Sequence, residues 1–203
     1  MSIAPNQYFI GTPASNFKSK VEAQLAGVDY FFYITDSGDL VVKTFSGVVS
    51  YTLAAGAKWV DIIPEAERLH VYWSDKTSNV MHLVFEQFGG GSLVPVATGI
   101  NSANLTFSVN YAAHSTPPVY VMLVDTGFEH ILYVAQDPDF HTLLAPATRV
   151  YSNLVDPAYF VTRPMIAIHP LDTNVATVNV QRLKVSNNES KVGFYVITLP
   201  GVV

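Results

Sequence analysis

Cysteine is absent from the 203 residues. Disulfide staples, thiolate-ligated zinc and thiol nucleophiles are excluded together, and the redox compartment stays open. Charge is scarce as well. Lys and Arg total 11, Asp and Glu 16, and together they make 13% of the chain with a formal net charge of −5, against roughly a quarter in an ordinary soluble domain. The basic residues are scattered and form no stripe that could neutralise phosphates, which argues against a nucleic-acid partner. No apolar run approaches the ~18 residues of a membrane-crossing helix, and the aromatic girdles of an outer-membrane barrel are not visible. Met1-Ser2-Ile3-Ala4-Pro5-Asn6-Gln7 has neither the basic start nor the apolar stretch of a signal peptide.

What is present points to β-structure. Hydrophobic residues are 49%, with 11 Tyr and 12 Phe, and aromatic side chains favour strands. The length suits one domain with a sizeable core. The organising stretch is Tyr30 to Phe45, YFFYITDSGDLVVKTF, which reads as strand, tight turn, strand. The pattern returns at Leu69, Val119 and Met165, each time as an apolar run, an Asp turn and a second apolar run. Spacings of about 40–50 residues are those of four-stranded propeller blades. The turn aspartates are Asp36, Asp75, Asp125 and Asp172. An Asp carboxylate accepts backbone N–H groups one or two residues on, so these four positions are predicted to form turns.

The expected fold is all-β, a compact four-bladed β-propeller, with a two-sheet β-sandwich or jelly roll as the alternative. Residues 1–29 read as an N-terminal arm and 30–203 as a single β-repeat domain. Within the arm, Ser19 to Gly27 has the composition of a short helix stopped by Gly27. The fourth unit looks one strand short, so Gln7–Ile10 is expected to complete its sheet near residues 192–199 and join the ends of the ring. Gly89-Gly90-Gly91 is followed by Pro95 and reads as a hairpin loop, not a phosphate cradle. Pro117-Pro118 and Arg163-Pro164 are expected at crossings between blades.

Candidate chemistry is thin. The six histidines (His70, His82, His114, His130, His141 and His169) form no H-E-x-x-H, and they read as surface or interface residues with no metal assigned. There is no G-x-S-x-G. Trp59, Trp73, Tyr111 and Tyr151 are the candidate ligand-binding rings, because flat apolar faces beside polar rims suit sugars. Trp73 is also expected in the core, and Trp59, next to Lys58, as an exposed ring.

Thr35-Asp36-Ser37-Gly38 is similar to the S-x-D-x-G-x-x-W turn of sialidase-like propellers only in its D-x-G. In unit number and length the chain resembles hemopexin-type domains, without the disulfide that ties their ends. Its low charge, lack of cysteine and aromatic richness resemble small β-rich proteins of bacteriophage particles. That resemblance implies a non-catalytic structural or interaction module, a virion component contacting other protein subunits, with a virion or cytoplasmic location and no cofactor. The alternative is a carbohydrate-binding, lectin-like propeller with a glycan partner. A glycosidase-like enzyme is a third reading, which would need two carboxylates across a cleft.

Overall fold

A computed structural model of the chain describes residues 9–10, 20–47, 50–86, 93–102, 107–112, 118–126, 129–144, 146–152, 159–162, 164–168, 175–184 and 189–198. The described residues build four antiparallel sheets and no helix. The first holds β2 (Lys20–Leu25), β3 (Val28–Ile34), β4 (Leu40–Thr44) and β5 (Ser50–Ala54), in that spatial order. The second holds β6 (Trp59–Pro64), β7 (Arg68–Ser74), β8 (Asn79–Glu86) and β9 (Val96–Asn101). The third holds β10 (Phe107–Ala112), β11 (Val119–Asp125), β12 (Glu129–Ala135) and β13 (Thr148–Ser152). The fourth holds β14 (Tyr159–Thr162), β15 (Met165–Ile168), β16 (Val175–Lys184), β17 (Glu189–Thr198) and the N-terminal β1 (Phe9–Ile10). Four separate meanders replace the two sheets of a sandwich.

The repeat lies out of phase with the sheets. Each repeat begins at the second strand of its sheet: Tyr30 is in β3, Leu69 in β7, and Val119 and Met165 open β11 and β15. The first strand of the first sheet is therefore Lys20–Leu25, inside the stretch read as an arm. That segment is a strand, not a short helix. Ala, Glu, Gln and Leu gave it helical composition, but Val21 and Leu25 are buried between exposed neighbours, the two-residue period of a strand. Ala26 and Gly27 form the hairpin loop between paired Leu25 and Val28, with φ of 49° and 80°. Two successive positive φ values are what a tight type I′ hairpin needs.

Three sheets share the same irregularity. Register shifts fall at Leu40/Val41, Asn79/Met81 and His130/Ile131, near the start of the third strand each time. A bulge there bends the strand just after the hairpin turn. The first two turns also superimpose in their bonding. Thr35 N donates to Asp39 O as Asp75 N does to Asn79 O, and Gly38 and Ser78 hold the same place with φ of 87° and 71°. Thr35, not Asp36, is thus the counterpart of Asp75.

In the fourth sheet β17 covers one edge of β16 from end to end, while β14 and β15 share the other edge. β1 pairs β14, with Phe9 opposite Thr162 and Ile10 opposite Val161. The N-terminal strand does join the sheet of the fourth unit, but on the edge away from β17, not beside residues 192–199. Of the two proline sites, Pro118 precedes β11 within the third sheet and Pro164 precedes β15 within the fourth, so neither described proline marks a crossing between sheets; Pro117 and Arg163 lie outside the described residues. Gly89-Gly90-Gly91, Asp172, His114 and His169 lie outside the described residues.

Alternation places the core. Tyr30, Phe32, Ile34, Leu40 and Val42 of the first sheet meet Val60, Ile62, Leu69, Val71, Leu83 and Phe85 of the second. The opposite face of the second sheet, with Ile63, Tyr72 and Val80, meets Phe107, Val109, Tyr120, Met122 and Val124 of the third. The far face of the third, with Val119, Val121, Leu123, Leu132 and Val134, meets Ala176, Val178 and Val180 of the fourth. Sheets covered on both faces read as continuous apolar runs, and all seven residues of β11 are buried. The outer sheets alternate: on β17 Val192, Phe194 and Val196 are exposed, and Phe45 is exposed on the first sheet. Among the described residues no apolar cluster joins the fourth sheet to the first.

Candidate active site

Polar side chains cross the seam between the second and third sheets, as Asn110 (to Pro164 O) and Tyr195 (to Val150 O) cross the next one. Asp61 on β6 accepts Val109 N at 2.9 Å and Ser108 Oγ at 3.1 Å through Oδ2, while Oδ1 accepts Ile62 N at 2.9 Å. Trp59 Nε1 donates to Phe107 O at 2.8 Å. Buried polar groups are stable only when partnered, and these bonds fix the position of β10 against β6.

Toward the end of the seam formed by the β6–β7 turn and the β12–β13 loop, four ionisable side chains form a line. His70 (β7) and His82 (β8) come together because their strands are paired, with His70 opposite Val84 and Tyr72 opposite His82. His70 Nδ1 lies 2.9 Å from His82 Nε2. At one end His82 Nδ1 meets Asp139 Oδ1 of the β12–β13 loop. At the other His70 Nε2 lies 3.2 Å from Glu65 Oε1 in the β6–β7 turn. Both imidazoles are buried; the Glu65 side chain is 17% exposed and that of Asp139 37%. The line therefore runs from one solvent-touching carboxylate to another through two buried rings.

Neighbours lock the line. Tyr72 stacks on His82 with ring centroids 4.6 Å apart, and its hydroxyl donates to Pro138 O at 2.9 Å. Tyr120 stands edge-on to His70 and donates to Glu65 Oε1 at 2.8 Å. Arg68 Nε donates to Glu65 Oε2 at 2.7 Å. Tyr111 stacks on Tyr120 and donates to Pro64 O at 2.8 Å. Asp137 anchors the loop, since its two carboxylate oxygens accept His141 N at 3.0 Å and Thr142 N at 2.7 Å.

The electrostatics follow from burial and these partners. Burial pushes His70 down to about 4, against the pull of Glu65. It also lowers His82, opposed by the hydrogen bond to Asp139. Burial pushes the Glu65 carboxyl up, but the bonds from Arg68 and Tyr120 and the charge of His70 outweigh it and hold it below its ordinary value. Around neutral pH the site thus holds a neutral histidine pair beside an ionised Glu65. Asp137, Asp139 and His141 bring one ligand-type atom each within 4.8 Å. Asp137 is committed to backbone donors, Asp139 to His82, and His141 Nε2 to Ala97 O at 3.1 Å. The trio locks a loop, and no metal is assigned to it.

Of the candidate rings named from sequence, Tyr111 alone falls in this site. Trp59 is a half-buried pin between sheets, not an exposed ring. Trp73 is buried in the seam between the first and second sheets. Tyr151 pairs His130 through its backbone, and its side chain lies outside the described residues. Asp75 forms its turn through hydrogen bonds from Thr77 and Asn79. Asp125 is buried at the end of β11. His70 and His82, read as surface or interface residues, are buried between the second and third sheets. Their placement in one hairpin was legible; Asp139, 57 residues beyond His82, was not, and Glu65, Arg68 and Tyr120 carried no motif.

No family model and no curated protein matches the chain. Among solved structures it is similar to an endo-arabinase from Bacteroides thetaiotaomicron, at 11% identity and a TM-score of 0.51, over 92% of this chain and 78% of that one. A prolyl endopeptidase matches at 8% identity and a TM-score of 0.43, over 91% of this chain and 27% of that one. The first likeness supports a propeller-like all-β fold. Against the expectation of a chain without enzymatic activity, the endo-arabinase that shares this fold is an enzyme. A repeat does not exclude a site: the second-to-third seam brings Glu65, His70, His82 and Asp139 into one line.

Proposed function

We propose that the chain is a propeller of four blades that acts on a carbohydrate, with glycosidase-like acid–base chemistry at the Glu65 end of the seam between the second and third sheets. The observation that carries this reading is the line Glu65–His70–His82–Asp139, two carboxylates joined through two buried imidazoles. The fold likeness to an endo-arabinase over most of both chains supports the substrate class. Glycoside hydrolysis runs on two carboxyl groups that flank the scissile bond; the line supplies Glu65 as one of them, since both buried rings stand between it and Asp139. Glu65, held as a carboxylate, takes the base role. Arg68 and Tyr111 flank it with donors and a half-buried ring suited to sugar hydroxyls and C–H faces. Glycan binding by these residues is the first step of the same activity. The reading as a particle component has no support in the geometry and is not carried forward.

The test is incubation of the purified protein with a panel of plant and microbial polysaccharides, arabinan included, reading reducing-end release and binding by calorimetry. Wild-type protein is expected to bind and cleave at least one. Glu65→Gln should lose on the order of 100-fold or more in rate, the usual worth of a general base, while retaining binding. Absence of both binding and cleavage across the panel by the folded wild type would overturn the reading.

A further inference from the structure

The buried histidine pair has a proton count that its surroundings do not satisfy. Asp139 is a carboxylate, so His82 turns its Nδ1–H toward it and leaves Nε2 bare. His70 must then donate from Nδ1 across the 2.9 Å to His82. That leaves His70 Nε2 as a bare lone pair, 3.2 Å from Glu65 Oε1 and without a hydrogen-bond partner, although its ring is 1% exposed. Buried ring nitrogens are normally partnered, and one that is not asks for a functional account. Here the bare nitrogen lies 3.2 Å from the one carboxylate of the line bound to both Arg68 and Tyr120.

We propose that His70 Nε2 is the proton store of the site: Asp139 and His82 fix its tautomer, and it exchanges one proton with Glu65 Oε1. When Glu65 has taken a proton, the Nε2 lone pair accepts it, the carboxyl returns to carboxylate, and His70 becomes an imidazolium bonded at both nitrogens. The reverse transfer restores the acid form of Glu65. His70 touches no substrate and acts through Glu65, so it is a positioning residue. The catalytic use of this exchange rests on the carbohydrate reading above; the tautomer order does not. The groups facing the pair are Glu65 from the β6–β7 turn, Arg68 and Tyr72 from β7, Tyr120 from β11, and Asp137 and Asp139 from the β12–β13 loop. The two nearest carboxylates favour the imidazolium, while Arg68 and burial oppose it.

The experiment is a long-range nitrogen–proton NMR spectrum of the histidine rings, recorded on the full chain from pH 8 to pH 3.5 without substrate. The expected result at pH 7 is His70 and His82 both protonated on Nδ1 and bare on Nε2. On acidification His70 Nε2 should gain a proton well below the ordinary histidine range. In Glu65→Gln that midpoint should fall further, because the attracting charge is gone, and in Asp139→Asn His82 should lose its fixed tautomer. A proton on His70 Nε2 at pH 7, or a His70 midpoint near the ordinary 6.5 that Glu65→Gln leaves unmoved, would overturn the proposal. The wild-type titration stands if either variant fails to fold. Confirmed tautomers in a protein that neither binds nor cleaves a glycan would sink the carbohydrate reading alone.

Discussion

The seam between the second and third sheets and the seam between the third and fourth are built on the same repeat and do different work. The third-to-fourth seam has an aliphatic, mostly β-branched centre of Val119, Val121, Leu123, Leu132, Val134, Ala176, Val178 and Val180, with Asp125 and His130 buried at the end of the same strand faces and Tyr195 donating to Val150 O across it. The second-to-third seam holds Asp61, His70, His82, Ser108, Trp59, Tyr72 and Tyr120 among its apolar residues. Dispersion and burial can close a seam without direction. A hydrogen-bonded seam closes in one register only, because each buried donor must find its acceptor. The contrast teaches that the repeat supplies a frame and the departure from it supplies the chemistry.

The sharpest way to break the comparison is Asp61→Ala. It strips acceptors from Val109 N, Ser108 Oγ and Ile62 N at once. Each buried donor left alone costs about 1–3 kcal/mol, so a loss of roughly 3–5 kcal/mol is expected in urea unfolding, enough to threaten a fold of ordinary stability. A loss below 1 kcal/mol would mean that β6 and β10 are not held by this carboxylate.

Acid should act through the buried histidines, which sit in both seams. In the unfolded chain His70 binds its proton near 6.5, and in the folded chain only near 4. Between those values the unfolded chain carries more protons, so stability falls as pH falls from about 6.5 and levels out near 4. His82 and His130 are shifted the same way. For His70 alone the change is on the order of 3 kcal/mol. His70→Gln should remove the His70 share of that slope in unfolding midpoints taken at several pH values and leave the shares of His82 and His130, and an unchanged slope would place the acid sensitivity elsewhere.

Val178→Ala probes the aliphatic centre of the third-to-fourth seam. Removing two buried methyl groups should cost about 2 kcal/mol by lost transfer and residual cavity. The loss is read by urea unfolding at pH 7, above the lowered titration of His130 on the same face. A loss well under about 1 kcal/mol would mean that this centre is loosely packed and does not close the seam.

These two seams also show what a sequence exposes and what it hides. The continuous apolar run of Val119–Leu123 and the alternation in Val175–Val180 announce strands wherever they pair, and the recurring hairpin gave the number of sheets. The phase was hidden. A hairpin repeat marks two adjacent strands but not which of the outer strands closes each sheet, and the helix-prone letters of Lys20–Leu25 concealed the missing member. His70 and His82 shared a hairpin, so their proximity was readable. Their burial was not, because it depends on β11 and the β12–β13 loop covering that face. Glu65 and Asp139 join the line only through tertiary placement, which no spacing encodes.

The smallest effect belongs to the turns, where the repeat is most regular. Asp75 caps its turn by accepting Thr77 N at 2.7 Å and Asn79 N at 3.0 Å through Oδ1, and Asn79 Nδ2 at 3.3 Å through Oδ2. In the first sheet the same place is held by Thr35, whose Oγ1 accepts Asp39 N at 2.9 Å. A hydroxyl and a carboxylate therefore do the same job, closing a loop that needs one acceptor aimed at the fifth residue. Asp75→Thr should consequently cost only a few tenths of a kcal/mol, whereas Asp75→Ala, which leaves both backbone donors to water, should cost about 1 kcal/mol. Equal losses for the two variants in thermal unfolding would show that the carboxylate's charge, not its acceptor geometry, holds the turn. In that case the correspondence of Thr35 with Asp75 would be geometric only, and the turns would no longer be the part of the chain where the repeat is conserved in its physics.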